Sequence, residues 1–226
     1  MIVLSQWLTL IVFVFFQGIV FAAPFKPGEK IHYNVSQLGL KVGQATLTFV
    51  GSQEYRGHQT IRIDFHAQGF NFLDHEQIYL APETLRPLFV ERDLNIFGSR
   101  ENIVEEYSPG QVKIVKKASG KIIQQVIDKK EWMDNIYAFI YRYRLSGKFE
   151  LNDTLDTNLP TKSIKIKLLR KEAVVAARTR YNTYYLESDP AQYRIWFEDS
   201  DKKIPLRIKG SIGLTNTSMM MTGYEE

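Results

Sequence analysis

Apolar and polar residues alternate with a period of two over much of this sequence. In the run at positions 58–67, Ile61, Ile63 and Phe65 occupy every second position, and Arg62 and Asp64 stand between them. Successive side chains of a β-strand point to opposite sides, so this pattern predicts a strand with one buried face. The same pattern predicts strands at positions 31–35, 44–50, 76–80, 88–92, 100–107, 111–117, 121–127, 163–169, 172–179, 181–186, 193–197 and 205–208.

Short turn-forming segments separate several of these predicted strands. Residues 108–110 read Ser-Pro-Gly, residues 118–120 read Ala-Ser-Gly, and residues 200–203 read Ser-Asp-Lys-Lys. Gaps of this size between alternating runs are typical of hairpins. We therefore expect a mainly β fold, either a strongly curved antiparallel sheet or a partly open barrel, built as a meander.

One segment follows the helical period instead. Between Glu131 and Arg144 the apolar residues recur at spacings of three and four, which places them on one stripe of a helix, namely Trp132, Ile136, Phe139, Ile140 and Tyr143. Asp128 with Glu131 fits a capping box, and Asp134 is a second candidate N-cap, so the start is left open. Ser146-Gly147 marks its end, and residues 149–162 are predicted to form a loop. We expect this amphipathic helix to pack on the sheet.

The first residues of the chain differ in composition from the rest. No charged side chain occurs before Lys26, and most residues from 7 to 16 are apolar. This composition, with the β-branched Val20 and the small Ala22 at the two positions that a signal peptidase reads, is typical of a signal peptide cleaved after Ala22. A retained membrane anchor is the alternative, because the apolar length approaches the ~20 residues that span a bilayer. We predict a leader at 1–22, a single β-rich domain at 24–226, and a periplasmic location, anchored in the inner membrane if the leader is retained.

Composition limits the chemistry available to this chain. The absence of cysteine excludes disulfides, thiol nucleophiles and cysteine metal sites. A net charge of +4 favours anionic neighbours but is too small to predict nucleic-acid binding. Contact with a membrane is expected only through the leader or a peripheral basic face.

No catalytic motif stands out. The ligand-type residues Asp74, His75 and Glu76 are adjacent, and three adjacent strand residues cannot all point at one metal ion. Asp64 and His66 share one face of a predicted strand and could form a general base with its orienting carboxylate, but a solvated outer face is the preferred explanation. We predict no enzyme activity, no catalytic residues, no metal and no cofactor.

Binding residues are predicted from two patterns. Lysines alternate with aliphatic residues after position 161, and aromatic residues concentrate after position 180; the candidates are Lys162, Lys165, Lys167, Tyr184, Tyr193 and Trp196. A row of cations could meet lipid phosphates, and aromatic rings could line a cavity in a curled sheet. The alternative is a charged outer face that prevents aggregation, with aromatic residues that simply suit strands.

Three segments resemble one bacterial family, and they follow the same order along the chain. They are Phe25–Tyr33 with Gly39 and Gly43–Ala45, then Asp134–Tyr137 through Arg144, then Trp196-Phe197 with Asp201–Ile208 and Gly213. They are similar to the opening strands, the Asp-led central helix and the closing hairpin of the domain-of-unknown-function family 3108. Asn135-Ile136 departs from that pattern. The resemblance implies an exported protein of a Gram-negative bacterium, with a helix against a curved sheet and glycines where strands approach closely.

These patterns favour a periplasmic binding protein that holds a lipid or other apolar ligand in a groove of the curved sheet. A cell-envelope assembly or scaffolding factor, which binds another protein through a strand face or edge, is the alternative. A hydrolase that uses Asp64, His66 or His75 is a third hypothesis.

Overall fold

The computed structural model of this protein describes residues 23–212 and 214–226, with the backbone alone described at 211, 212 and 214–216. The predicted leader at 1–22 lies outside the described residues. Fourteen strands and one helix occur among the described residues. They are β1 (Lys30–Gln37), β2 (Leu40–Tyr55), β3 (His58–Gly69), β4 (Phe72–Leu80), β5 (Pro87–Ile96), β6 (Ser99–Ser108), β7 (Gln111–Ala118), β8 (Lys121–Asp128), α1 (Ile136–Ser146), β9 (Thr154–Leu159), β10 (Lys162–Ala176), β11 (Thr179–Asp189), β12 (Arg194–Glu198), β13 (Pro205–Ile212) and β14 (Leu214–Glu225).

All fourteen strands belong to one antiparallel sheet, in the order β8-β7-β6-β5-β4-β3-β2-β1-β14-β13-β12-β11-β10-β9. Every neighbouring pair is consecutive in the chain except β1 and β14. The sheet is therefore two meanders joined at one seam, and α1 connects the two strands at its ends, β8 and β9. The expected mainly β class, a curved antiparallel sheet with one helix packed on it, is confirmed.

One face of the sheet, which we call the inner face, surrounds the helix. The alternation predicted for β3 is present, since Ile63 and Phe65 are fully buried on this face. The same apolar cluster includes Val112 of β7 and Ile164 of β10, from near the two ends of the strand order. Two distant strands can share one core only if the sheet curls around the helix. The opposite face of the sheet is called the outer face below.

The helix begins later than the sequence predicted. Asn135 is its N-cap, because its side-chain Oδ1 accepts bonds from the backbone N–H groups of Tyr137 at 2.8 Å and Ala138 at 3.4 Å. Neither the capping box at Asp128 nor an N-cap at Asp134 is formed, and both expectations were wrong. An Asn side chain caps as well as Asp does, so residue type could not separate the two adjacent positions. The predicted end is confirmed, since Gly147 is the C-cap.

The helix is buried on most of its circumference. Its buried residues extend beyond the predicted stripe and include Tyr137, Tyr141 and Arg144. The ring of Tyr137 stacks on Phe65 of β3, with centroids 4.4 Å apart. A helix inside a curled sheet meets strands on several sides, and a single stripe underestimates its contacts.

Three strand predictions need correction. The region predicted as a loop at 149–162 contains β9, and β14 was not predicted. The two runs predicted at 163–169 and 172–179 form a single strand, β10, interrupted by a register shift between Leu168 and Arg170. Such an irregularity inserts an extra residue and changes the phase of the alternation, so one strand reads as two.

The glycines of the opening segment serve two purposes. Gly43 of β2 lies directly opposite Gly69 of β3, and a Cβ on Gly43 would overlap the carbonyl of Gln68. Gly39 has open space around it but adopts a φ of +83°, which other residues rarely tolerate. Close approach between strands was the predicted role, and it holds for Gly43.

Candidate binding cleft

A cleft opens on the inner face beside the N-terminus of α1. Its volume is about 200 Å³. Strands β4 to β7 form one wall, and the β9–β10 turn with Tyr193 forms the other. The lining residues are Glu76, Val90, Arg92, Glu105, Tyr107, Ile114, Asp134, Asn135, Ile136, Tyr137, Leu159, Pro160, Thr161 and Tyr193. We call this the inner cleft.

Strand geometry brings its charged residues together. Asp74 and Glu76 are two positions apart on β4, so both point to the inner face, and His75 points to the outer face. Glu76 lies opposite Arg92 of β5. Glu105 of β6 lies opposite Val90, which is two positions before Arg92 on β5. Three neighbouring strands thus contribute ionisable groups to one buried surface.

Arg92 is shared unequally between two carboxylates. Its guanidinium donates two hydrogen bonds to Asp74, from Nε at 2.7 Å and from Nη2 at 2.6 Å. Its Nε lies 3.8 Å from Glu76 Oε2, beyond hydrogen-bond distance. Arg92 therefore neutralises the charge of Asp74, and it compensates the charge of Glu76 only in part.

Glu76 is the most perturbed carboxyl of the inner cleft. Burial raises its pKa from 4.5 to about 7, and the nearby charges of Asp74 and Glu105 act in the same direction. Arg92 and a hydrogen bond from Asn135 oppose the rise. A buried carboxyl with a pKa near neutrality can hold or release its proton at physiological pH.

Asn135 links the cleft to the helix. Its Oδ1 caps α1, and its Nδ2 donates a 2.5 Å hydrogen bond to Glu76 Oε1. The preceding residue, Asp134, forms an ion pair with Arg142 of the helix, and its backbone N–H donates to the carbonyl of Asn158 at 2.6 Å. The helix N-terminus is therefore fixed to β4 on one side and to β9 on the other.

Glu105 forms the third acidic position of the cleft. Burial raises its pKa, and a hydrogen bond from the Tyr107 hydroxyl and the charge of Arg92 oppose that rise. Val90, Ile114 and other apolar side chains line the cleft beside these groups. The inner cleft therefore combines an apolar wall with two carboxyls that no cation fully neutralises.

The six predicted binding residues do not converge. Lys165 and Lys167 are exposed on the outer face, opposite Asp189 and Glu187. The other four are Lys162, whose ammonium lies 5.0 Å from the Tyr193 ring centroid, then Tyr193 and Tyr184 in the main core, and Trp196 in a second cluster. Of the six, only Tyr193 lines the inner cleft.

The residues considered for hydrolysis lie on the outer face. Asp64 accepts two 2.7 Å hydrogen bonds from Arg62, which occupies the carboxylate. His66 contacts His75 instead, with ring centroids 5.7 Å apart. Within the described ranges, no group of three His, Asp or Glu side chains could hold a metal ion.

The described part of the chain contains no helix both long enough and apolar enough to cross a bilayer.

The fold and the cleft define a mainly β protein curled around one buried helix. The chain belongs to the family described as protein of unknown function (DUF3108), whose profile matches residues 30–222. No curated protein matches the sequence.

Two solved structures are similar over most of their length. One is a protein of Bacteroides fragilis provisionally described as exported, with a YmcC-like fold; it has 7% identity and a TM-score of 0.32, over 90% of this chain and 98% of that chain. The other is a protein of Parabacteroides distasonis provisionally described as a lipoprotein; it has 7% identity and a TM-score of 0.30, over 88% and 96%.

Proposed function

We propose that this chain is an exported, non-enzymatic protein that binds the polar end of a small amphipathic molecule, such as a lipid, in the inner cleft. The observation that carries the proposal is the buried carboxyl of Glu76, whose pKa lies near 7, in a cleft with apolar walls. Pockets that combine an apolar lining with a few convergent polar groups of perturbed pKa are the usual sites of ligand binding.

The charges of the inner cleft favour a hydrogen-bond donor as the bound group. Asp74 is neutralised by Arg92, and Asp134 by Arg142. Glu76 and Glu105 remain without a full counter-charge. An amine, hydroxyl or amide on the ligand would complete their hydrogen bonding, and a carboxylate or phosphate would be repelled.

The volume of the inner cleft limits the bound portion. About 200 Å³ lies below the ~300 to 1,000 Å³ typical of sites that enclose a whole drug-sized ligand. The helix and its stacked aromatic rings fill the inner face beside it, including the contact between Phe65 and Tyr137. In place of the expected groove in the curved sheet, we therefore propose a short cleft that takes one end of the ligand.

Titration calorimetry with three ten-carbon probes tests this proposal. At pH 8, where Glu76 is mostly ionised, decylamine should bind most tightly, decanol more weakly and decanoate not measurably. Glu76→Gln should weaken decylamine binding at least tenfold and decanol binding less than threefold. Glu106→Gln, on the exposed face of the same region, is the matched control and should change neither.

A variant that fills the cleft tests the contribution of its apolar part. Ile114→Trp should reduce binding of decylamine and decanol alike, because the larger ring occupies the cleft. Decanoate binding equal to that of decylamine, or probe binding unaffected by both Glu76→Gln and Ile114→Trp, would rule the proposal out. Native mass spectrometry of the purified protein should show a co-purifying molecule with a donor head group.

A second candidate function, binding of another envelope protein, is favoured by the unequal protection of the two end strands. The edge of β9 is covered, because Asp134 N–H donates to Asn158 O and Lys129 Nζ donates to Leu159 O, both at 2.6 Å. No described residue covers β8, whose exposed aliphatic side chains are Ile122 (62%), Ile123 (55%) and Val126 (53%). Unprotected edge strands pair readily with an added strand.

For this second function, we propose an extended segment of another envelope protein as the occupant of the β8 edge. A photo-crosslinking residue at Gln124 should capture one protein at high yield in cells, whereas the same residue at Lys167 should not. Capture of a second copy of this chain would replace the scaffold hypothesis with self-association. Absence of any crosslink would eliminate it.

A further inference from the structure

A second cavity lies on the outer face, away from the inner cleft. Its volume is about 400 Å³. It is bordered by the β1–β2 turn, the β11–β12 connection and strands β12 to β14. The residues that matter below are Arg194, Arg207, Lys209, Ser36, Ser218 and Gln192. We call this the outer basic pocket.

The strand register forces its cations together. Arg194 of β12 lies directly opposite Lys209 of β13. Arg207 is two positions before Lys209 on β13, so its side chain lies on the same face of the sheet. Like charges directly opposite each other destabilise a sheet. An arrangement of this kind is costly to the fold unless something else compensates the charge.

The protein itself compensates only one of the three cations. Arg194 Nε forms an ion pair with Glu187 at 3.1 Å. Neither Arg207 nor Lys209 forms an ion pair with any described residue. Arg207 lies 4.9 Å from the Trp196 ring centroid and reaches Ser218 Oγ only at 3.5 Å, with Glu172 attracting it from further away.

The pKa values of Lys209 and Arg207 reflect their burial and this unbalanced charge. Burial lowers the pKa of Lys209, and the neighbouring charges of Arg207 and Arg194 lower it further. Burial also lowers the pKa of Arg207, against the pull of Glu172. Both cations would therefore gain from an anion that entered the pocket.

Neutral hydrogen-bonding groups complete the outer basic pocket. Ser36, Ser218 and Gln192 are part of its lining. None of the described lining residues carries a carboxylate. The pocket thus offers cations and neutral polar groups to a ligand, with nothing in the lining to repel an anion.

We propose that the outer basic pocket binds a phosphate group carried by a larger molecule. Arg207 and Lys209 would contact the phosphate oxygens directly, and Arg194 would hold one edge while it keeps its pair with Glu187. Guanidinium groups match phosphate oxygens in geometry, and a lysine adds a compact positive charge. The volume exceeds that of a phosphate alone, which leaves room for the group that carries it. This site is independent of the inner cleft, whose acidic lining selects the opposite charge.

Phosphate chemistry can come from a soluble molecule or from a lipid head group, and two arms of one experiment distinguish them. The first arm titrates the purified protein with inorganic phosphate and with glycerol 3-phosphate by calorimetry. The second arm measures co-sedimentation with vesicles of phosphatidylglycerol and phosphatidylcholine, against pure phosphatidylcholine. Binding in the first arm alone assigns a soluble ligand, and binding in the second alone assigns a lipid head group.

The double variant Arg207→Ala, Lys209→Ala tests the site in whichever arm shows binding. We expect at least a tenfold loss of affinity. Lys165→Ala, Lys167→Ala removes the same charge from the same face, and it should lose less than threefold. Glycerol 3-phosphate should also raise the thermal unfolding temperature of the parent protein but not that of the Arg207, Lys209 variant.

Two outcomes overturn the proposal. One is no binding in either arm. The other is an equal loss of affinity in the two double variants, which would show general attraction between charges rather than a site. The Arg207, Lys209 variant should remain folded, because the substitutions relieve repulsion, and its thermal unfolding curve verifies this.

Discussion

The carboxylate of Glu29 and the guanidinium of Arg144 form a fully buried ion pair between the start of the sheet and the last turn of the helix. Arg144 Nη1 and Nη2 donate to the two Glu29 oxygens at 2.6 and 2.8 Å. The hydroxyls of Tyr141 and Tyr224 donate to the same carboxylate at 3.2 and 3.1 Å. The Glu of the opening Pro-Gly-Glu segment and the Arg that ends the helix, two separate features of the family pattern, are thus one contact.

Removal of one partner of this pair should be strongly destabilising. Arg144→Met leaves the Glu29 carboxylate buried without a counter-charge, and we expect a loss of about 3 to 5 kcal/mol in the free energy of unfolding by urea. Asp199→Asn is the control, since it breaks a pair with the largely exposed Lys171 and should cost no more than about 1 kcal/mol. Equal losses in the two variants would contradict the buried geometry.

The raised pKa of Glu76 should make stability depend on pH. The native carboxyl keeps its proton up to about pH 7, whereas in the unfolded chain it ionises near 4.5. The native state therefore binds more protons in this window, and the free energy of unfolding should fall as pH rises from about 4.5 to 7, by roughly 3 kcal/mol.

Glu76→Gln should remove most of that slope, which urea titrations at several pH values would measure. Burial also raises the pKa of Glu105, so a smaller slope of the same sign should persist. Glu106→Gln should leave the full slope in place. Equal slopes for the parent protein and Glu76→Gln would contradict the raised pKa of Glu76.

Asn135 has two functions that substitutions can separate. Asn135→Ala loses the helix cap and the donor to Glu76, and should cost about 1 to 3 kcal/mol, with the larger cost where Glu76 is ionised because this hydrogen bond lowers the pKa of Glu76. Asn135→Asp keeps a capping oxygen but places a second carboxyl against Glu76. Its cost should be larger at pH 8 than at pH 5, as thermal unfolding at the two pH values would reveal. A pH-independent cost for the Asp variant would mean that Glu76 stays protonated at pH 8.

The two kinds of glycine should respond differently to enlargement. Gly43→Ala forces a Cβ into the Gln68 carbonyl, so we expect strand separation and a loss of several kcal/mol. Gly39→Ala has room for the methyl group and should cost only about 1 kcal/mol, from its positive φ. Chemical unfolding of the two variants decides this, and a milder effect at Gly43 than at Gly39 would refute the close contact.

Alternation was enough to predict most strands, because one buried face imposes a period of two on each. It failed where the chain departs from that period. The register shift after Leu168 divided β10 into two predicted strands, and β9 was missed in a segment rich in Asp, Asn and Thr.

The candidate site was only partly accessible to sequence reasoning. The adjacent Asp74 and Glu76 were noticed, and their spacing already placed them on one face. Arg92, Glu105 and Asn135 were missed, because their convergence depends on strand register and on the true helix start, neither of which local patterns encode. The structure places the six predicted binding residues on both faces of the sheet. A role in binding for these residues stays a prediction.

The pairing of β1 with β14 has a consequence for the order of folding. Each meander joins strands that follow one another directly in the chain, so it can assemble as the polypeptide emerges. The seam pairs Ile31 with Tyr224, and its second strand is the last to be made. Until β14 is made, β1 pairs only with β2 and its other edge stays open, so a truncation that removes β14 would leave the two meanders without their seam.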